Sequence, residues 1–341
     1  MTRRRSRPLT ALVLALAAAL ALSACGSKKD VTTTQGRSDR VDLVLDYLPN
    51  ADHAPIYAAQ ATGAFKAAGL DVRIRVPSDP AAPLKLVQSG QADIAISYEP
   101  ELLLARDKGA RVAAIGALVQ KPLTSIMSLD KRFKGVEDLS GAKVGTAGIP
   151  YQSAYLRTIA TKNGIDPDKV HEVNVGFNLV PSMLSKKVDA TLGAFWNYEG
   201  VQLARQHKDP KIIRMDEVGV PTYQELVFVA DTDRLQEKGV GSVMRRFMQA
   251  VSRGAKAVKA DPAVGADALV KADDSLDRRL QLAAIKATLP VFFPEDPAFP
   301  FGYMNADEWK AYGQWMVDNQ LVSRLPTATS ITNEFLPGRG I

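Results

Sequence analysis

The sequence predicts an α/β protein built as two lobes around a shared cleft. Three observations lead there. About 300 residues remain from Val41 onward, more than one hydrophobic core usually serves. Short apolar runs alternate with segments of helical period, the pattern of βαβ units. The rhythm breaks at two extended stretches, 121–129 and 222–230, as it does when a chain crosses to a second lobe and returns. These crossings divide the folded part into lobe one, residues 41–122 and 228–341, and lobe two, residues 123–227, joined by a two-segment hinge.

VDLVLDY (41–47) reads as a strand. PIYAAQATGAFKAAG (55–69) reads as one helix, with Pro55 in its first turn and Gly69 at its end. LDVRIRV (70–76) alternates as a strand, PLKLVQSG (83–90) is a short helix and ADIAIS (92–97) a buried strand. PELLLARDKG forms a helix leading to the strand RVAAIGALV (111–119). In lobe two, LTSIMSL (123–129) is extended, AKVGTA is a strand and a helix runs through YLRTIATKNG. VHEVNV (170–175), VDATLGAF (188–195) and KIIRM (211–215) are further strands. ELVFVA (225–230) is again extended, and the chain beyond it is mostly helical. Strands joined through helices imply mainly parallel sheets. The carboxyl ends of such strands face the cleft.

The ends of the chain carry a different signal. Residues 1–24, MTRRRSRPLTALVLALAAALALSA, combine a basic start, an apolar run from Leu9 to Leu22 and small residues, the anatomy of a secretion signal rather than a membrane span. Leu22-Ser23-Ala24-Cys25 resembles the lipobox of bacterial lipoproteins, which implies acylation of Cys25 and anchoring to the outer face of the membrane. Residues 25–40 are polar and aperiodic, a flexible tether. Losing residues 1–24 removes four arginines and no acid, taking the formal charge from +6 to +2. The basic balance therefore belongs to the leader, and no basic patch with interleaved aromatics points to nucleic acid. A single cysteine excludes an internal disulfide, a thiolate zinc centre and a cysteine nucleophile in the mature domain. His53, His171 and His207 lie too far apart for a local metal motif, and no cofactor is expected.

Candidate function sits in the loops after the strands. They are YLPNADH after the first strand, SYEPE (97–101) after the third, GIPYQS (148–153) and WNYEG (196–200). Each offers aromatics beside amides or carboxylates. Tyr47, Asn50, His53, Tyr98, Glu99, Tyr151, Trp196, Tyr198 and Glu199 are the candidate ligand contacts. Asn50 and Asp52 serve equally well as turn and helix-cap residues. Phe195 and Trp196 are adjacent, so only one of them faces the cleft.

The succession D-Y-L-P-N-x-x-H-x-x-x-Y-x-A, G-A-F-K-x-A-G-L-D-V, Q-S-G-Q-A-D-I-A-I-S, D-L-S-G-A-K-V-G and W-N-Y-E-G resembles the NMT1/THI5-like group of periplasmic-type solute-binding proteins over residues 41 to about 320. P-N-x-x-H and W-N-Y-E-G are similar to the branch that takes pyrimidine precursors of thiamin. The resemblance implies a periplasmic-binding-protein-like fold, a small-molecule ligand in the interlobe cleft, a monomer, and an ABC permease with its ATPase as partners. An aminopyrimidine would need aromatic faces and a donor–acceptor match, for which Asn50 and Glu199 carry the chemistry. Receptors for alkanesulfonate, nitrate or a riboflavin precursor share the framework. So does a pyrimidine synthase, whose cysteine-rich cluster this chain lacks.

Overall fold

The computed structural model describes residues 38–325 and 328–338. The leader, Cys25 and nearly all of the expected tether lie outside the described residues. The first sheet begins with β1 (Asp39–Val44), followed by a 3-10 turn (Ala51–His53), α1 (Ala54–Ala61) and α2 (Ala64–Ala67). It continues with β2 (Leu70–Arg75), α3 (Pro83–Gln88), β3 (Ile94–Ser97), α4 (Glu99–Asp107) and β4 (Val112–Val119). The chain then crosses into a second sheet: β5 (Thr124–Ser128), β6 (Lys143–Thr146), α5 (Pro150–Lys162), β7 (His171–Asn174), α6 (Leu179–Leu184), β8 (Ala190–Phe195), α7 (Glu199–Arg205) and β9 (Lys211–Arg214). It returns through β10 (Leu226–Asp231) and ends in α8 (Thr232–Leu235), α9 (Val240–Ala260), α10 (Pro262–Ala272), α11 (Arg278–Phe292) and α12 (Ala306–Asp318). Lobe one is the part built on the first sheet and lobe two the part built on the second.

Strand order is β2-β1-β3-β10-β4 in lobe one and β7-β6-β8-β5-β9 in lobe two. β3, β4 and β10 are buried nearly end to end, which is why they read as unbroken apolar runs rather than alternating ones. The expectation of mainly parallel sheets needs correcting. β10 runs antiparallel to β3 and β4, and β5 antiparallel to β8 and β9. The cause is the crossing itself. A parallel strand runs toward the cleft, so a chain that arrives from the other lobe enters its sheet at the cleft end and must run away from it.

The single helix expected over 55–69 is two. Gly63 takes a left-handed φ of 75° and breaks it after Ala61. β1 starts two residues earlier than its apolar run, because Asp39 and Arg40 pair with Leu70 and Asp71 at the sheet edge. A principal core passes through lobe one into lobe two, and a second cluster around Met127, Leu179, Met183 and Leu203 belongs to lobe two.

Where the chain crosses, Glu225 is fully buried and holds both segments together. It accepts the backbone N–H groups of Leu123 and Thr124 at 2.6 and 2.8 Å, the Thr124 hydroxyl at 2.8 Å and the Tyr223 hydroxyl at 3.1 Å. An aromatic cluster covers this region. Tyr155 of lobe two packs edge-on against Tyr151, Tyr223 and Trp315 and shares a hydroxyl–hydroxyl hydrogen bond with Tyr312 of α12.

Candidate functional site

The loop after β1 is held by its own polar groups. The Asn50 side-chain oxygen accepts the Asp52 N–H at 2.8 Å, its amide nitrogen donates to Leu48 O at 3.1 Å, and its backbone N–H donates to His53 Nδ1 at 3.2 Å. Because Nδ1 accepts, Nε2 carries the ring proton and donates it to Asp46 Oδ1 at 2.8 Å. The other Asp46 oxygen accepts the Tyr98 hydroxyl at 2.7 Å, tying the ends of β1 and β3 together. Asn50 and His53 thus brace the turn that leads into α1, and Asp46 is the group this bracing presents.

Asp46 lines a narrow cavity of about 20 Å³ between the lobes, room for about one water molecule. Lobe one adds Tyr47, Asn50 and Tyr98, and lobe two adds Ala147, Ile149, Gln152, Leu179, Gly193, Phe195 and Glu199. Two carboxylates face it, and among the described residues no lysine or arginine lines it. Aromatic contacts cross between the lobes beside it: Tyr47 meets Phe177 edge-on at 4.8 Å, and Tyr98 lies tilted against Tyr151 at 5.2 Å.

Glu199 is the first residue of α7, where the helix dipole favours a negative charge. Its Oε2 accepts the Phe195 N–H at 2.7 Å. Burial outweighs both and pushes its carboxyl up to about 7. Burial, followed by the nearby Glu199 and Asp46 charges, also drives the Tyr47 phenol well above its ordinary range, so Tyr47 is a neutral donor. Gln152 anchors its oxygen on the Ala147 N–H at 2.8 Å, and its amide nitrogen lies against Gly193. Such a wall accepts hydrogen bonds from N–H groups of a guest, offers ring faces and gives a small anion no cation.

Of the nine candidate contacts, Tyr47, Asn50, Tyr98 and Glu199 line this cavity, and five do not. His53 is completely buried behind Asp46 with both ring nitrogens engaged. Glu99 lies at the crossing, where its carboxylate accepts the Gln224 N–H at 2.7 Å. Tyr151 is buried behind Tyr98, its hydroxyl 3.3 Å from that of Thr124. Trp196 turns away: its indole N–H donates to Pro122 O at 3.0 Å and the Arg214 guanidinium stacks over its ring at 4.0 Å. Phe195 takes the inward position instead, as the alternation along a strand requires. Tyr198 points to α11, accepting from Gln281 at 3.1 Å. Sequence reasoning missed Asp46, Gln152 and Gly193. Only Gly193 left a signal, a glycine inside a strand, which marks close approach by another group. Among the described residues, no group of three or more His, Cys, Asp or Glu side chains could hold a metal ion.

Two α/β lobes with a cavity walled from both sides define the periplasmic-binding fold. The same fold is seen in the alkanesulfonate-binding protein of Xanthomonas axonopodis pv. citri, with a TM-score of 0.64 at 14% identity over 87% of this chain and 99% of that one. The chain belongs to the NMT1/THI5-like family, whose model matches residues 50–264. It is 31% identical to the formylaminopyrimidine-binding protein of Halalkalibacterium halodurans over 89% of this chain and 92% of the relative. It is 25% identical to the 4-amino-5-hydroxymethyl-2-methylpyrimidine phosphate synthase of Legionella pneumophila over 87% of this chain and 92% of the relative.

Proposed function

We propose that the protein is the extracytoplasmic receptor of an ABC importer, binding a small aminopyrimidine of the thiamin-precursor type by closing its lobes over the ring. The observation that carries this reading is the pairing of Asp46 and Glu199 across a cavity with aromatic walls and, among the described residues, no basic side chain. In it, Glu199 accepts from the exocyclic amine, Phe195 and Tyr47 flank the ring, and Asp46 and the Gln152 amide orient its substituents. The absence of a lining cation disfavours sulfonate or nitrate as cargo. Cys25, outside the described residues, would carry the lipid anchor, and among those described no helix is long and apolar enough to cross a membrane.

The synthase named among the relatives raises the alternative of catalysis. His53 speaks against it: the residue is sealed from the cavity and offers it no ring nitrogen. A thermal-shift panel of aminopyrimidines, flavin precursors, taurine and nitrate tests the reading. A true ligand at 100 times its Kd adds about 2.7 kcal/mol of stability. Stabilisation by taurine or nitrate with no response to aminopyrimidines would replace the proposed cargo.

A further inference from the structure

Beside the cavity, the lobes meet through a second polar contact. Asn197 of lobe two donates its amide nitrogen to Asp52 Oδ1 at 2.6 Å and to the Thr288 hydroxyl of α11 at 2.6 Å. Asp52 and Asn197 are both completely buried. Each has one orphan: among the described residues, Asp52 Oδ2 and Asn197 Oδ1 have no hydrogen-bond partner. Both orphans are acceptors, and they belong to the same carboxyl–carboxamide pair. Two acceptors cannot satisfy each other, and buried groups of this kind are costly to leave unpaired. One proton on Asp52 Oδ2, donated to Asn197 Oδ1, would turn the single bond into a reciprocal pair and satisfy both atoms.

We infer that Asp52 and Asn197 form a latch across the cleft that takes up one proton from solvent as the lobes close. The inference rests on the reading of the cavity as a site that opens and closes, and it adds a regulation to it. The surroundings of Asp52 agree. Burial is the largest influence and raises its carboxyl from 3.8 to about 6. The charged or titratable groups facing it are His53 on its own turn, which opposes this, Asp46 after β1, which adds to it, and Glu199 and Tyr198 across the cleft. α11 faces it with Thr288, β4 is apolar, the buried residues of α10 are apolar, and α1 contributes Tyr57 as its titratable buried residue. Opening returns Asp52 to water and to the ordinary carboxylate range. The closed form therefore holds the extra proton between about pH 4 and 6, and closure weakens as pH rises through about 6.

Titration calorimetry with 4-amino-5-hydroxymethyl-2-methylpyrimidine, in two buffers of different protonation enthalpy near pH 5, counts the protons taken up. Asp52→Asn retains a reciprocal amide–amide pair without needing one. The wild type should take up close to one proton more than Asp52→Asn. Relative to that variant its affinity should fall about tenfold from pH 5 to pH 7. Equal proton counts in wild type and Asp52→Asn would overturn the latch. Small-angle scattering of the ligand-free wild type, from pH 5 to 8, decides it without any ligand. A radius of gyration that grows through a midpoint near 6 supports the latch, and one that does not change with pH overturns it. Failure of the pyrimidine to bind would remove the proposed cargo and leave the scattering result standing.

Discussion

Gly193 lies so close to Gln152 that a Cβ at position 193 would stand 2.3 Å from the Gln152 amide nitrogen. Its φ of +118° is closed to other residues as well. The bare backbone of β8 is what lets Gln152 reach across to the Ala147 N–H and form part of the cavity wall. Gly193→Ala should therefore destabilise the protein by about 1–3 kcal/mol and weaken ligand binding. Urea unfolding and calorimetry measure the two effects, and a variant that binds normally would show that Gln152 does not shape the site.

Phe195 and Trp196 give a paired prediction. Phe195→Leu removes an aromatic face from the cavity and should weaken aminopyrimidine binding about 2- to 10-fold, the value of one ring contact. Trp196→Phe leaves the cavity intact and should keep the wild-type Kd. The reverse pattern would mean that the inward and outward assignments at the end of β8 are exchanged.

Glu225 has four donors directed at its buried carboxylate. Glu225→Ala strands them at the point where both crossings meet. Unfolding free energy should drop by about 3–5 kcal/mol, readable in denaturant titration. A loss under about 1 kcal/mol would show that the donors find other partners.

Stability should depend on pH in an unusual direction. Burial raises the carboxyl of Asp52 to about 6 and those of Glu101 and Glu199 to about 7. Each group then binds its proton more tightly folded than unfolded. The stability each contributes is full below the unfolded value near 4 and is lost as pH rises through 6 to 7, on the order of 1–3 kcal/mol per group. The Tm of the ligand-free protein should be higher at pH 5 than at pH 7.5, and a Tm that climbs over this interval would contradict the burial argument.

How legible this was depends on what a side-chain pattern can encode. Buried central strands such as β4 announce themselves as apolar runs. Strand direction left no trace, since an apolar run reads the same toward the cleft as away from it; β5 and β10 were set by the path of the chain. The loops rich in aromatics and amides did converge on the cavity, but residue types alone could not tell a wall from its support. Asn50 and His53 carry the chemistry of ligand contacts, and the structure uses that chemistry to hold the turn. Asp46, one carboxylate at the end of β1, drew no attention because its meaning comes from His53 and Tyr98 folding onto it.

Calorimetric titration of the wild type and Glu199→Gln with 4-amino-5-hydroxymethyl-2-methylpyrimidine and its formylamino relative tests most directly whether Glu199 holds an aminopyrimidine. The variant can still accept the Phe195 N–H but lacks the anion. A 1:1 complex with the wild type, weakened at least tenfold in Glu199→Gln, is the predicted result. Equal affinity in both proteins, or no binding by the wild type while a sulfonate or nitrate binds, would remove Glu199 or the aminopyrimidine from the site.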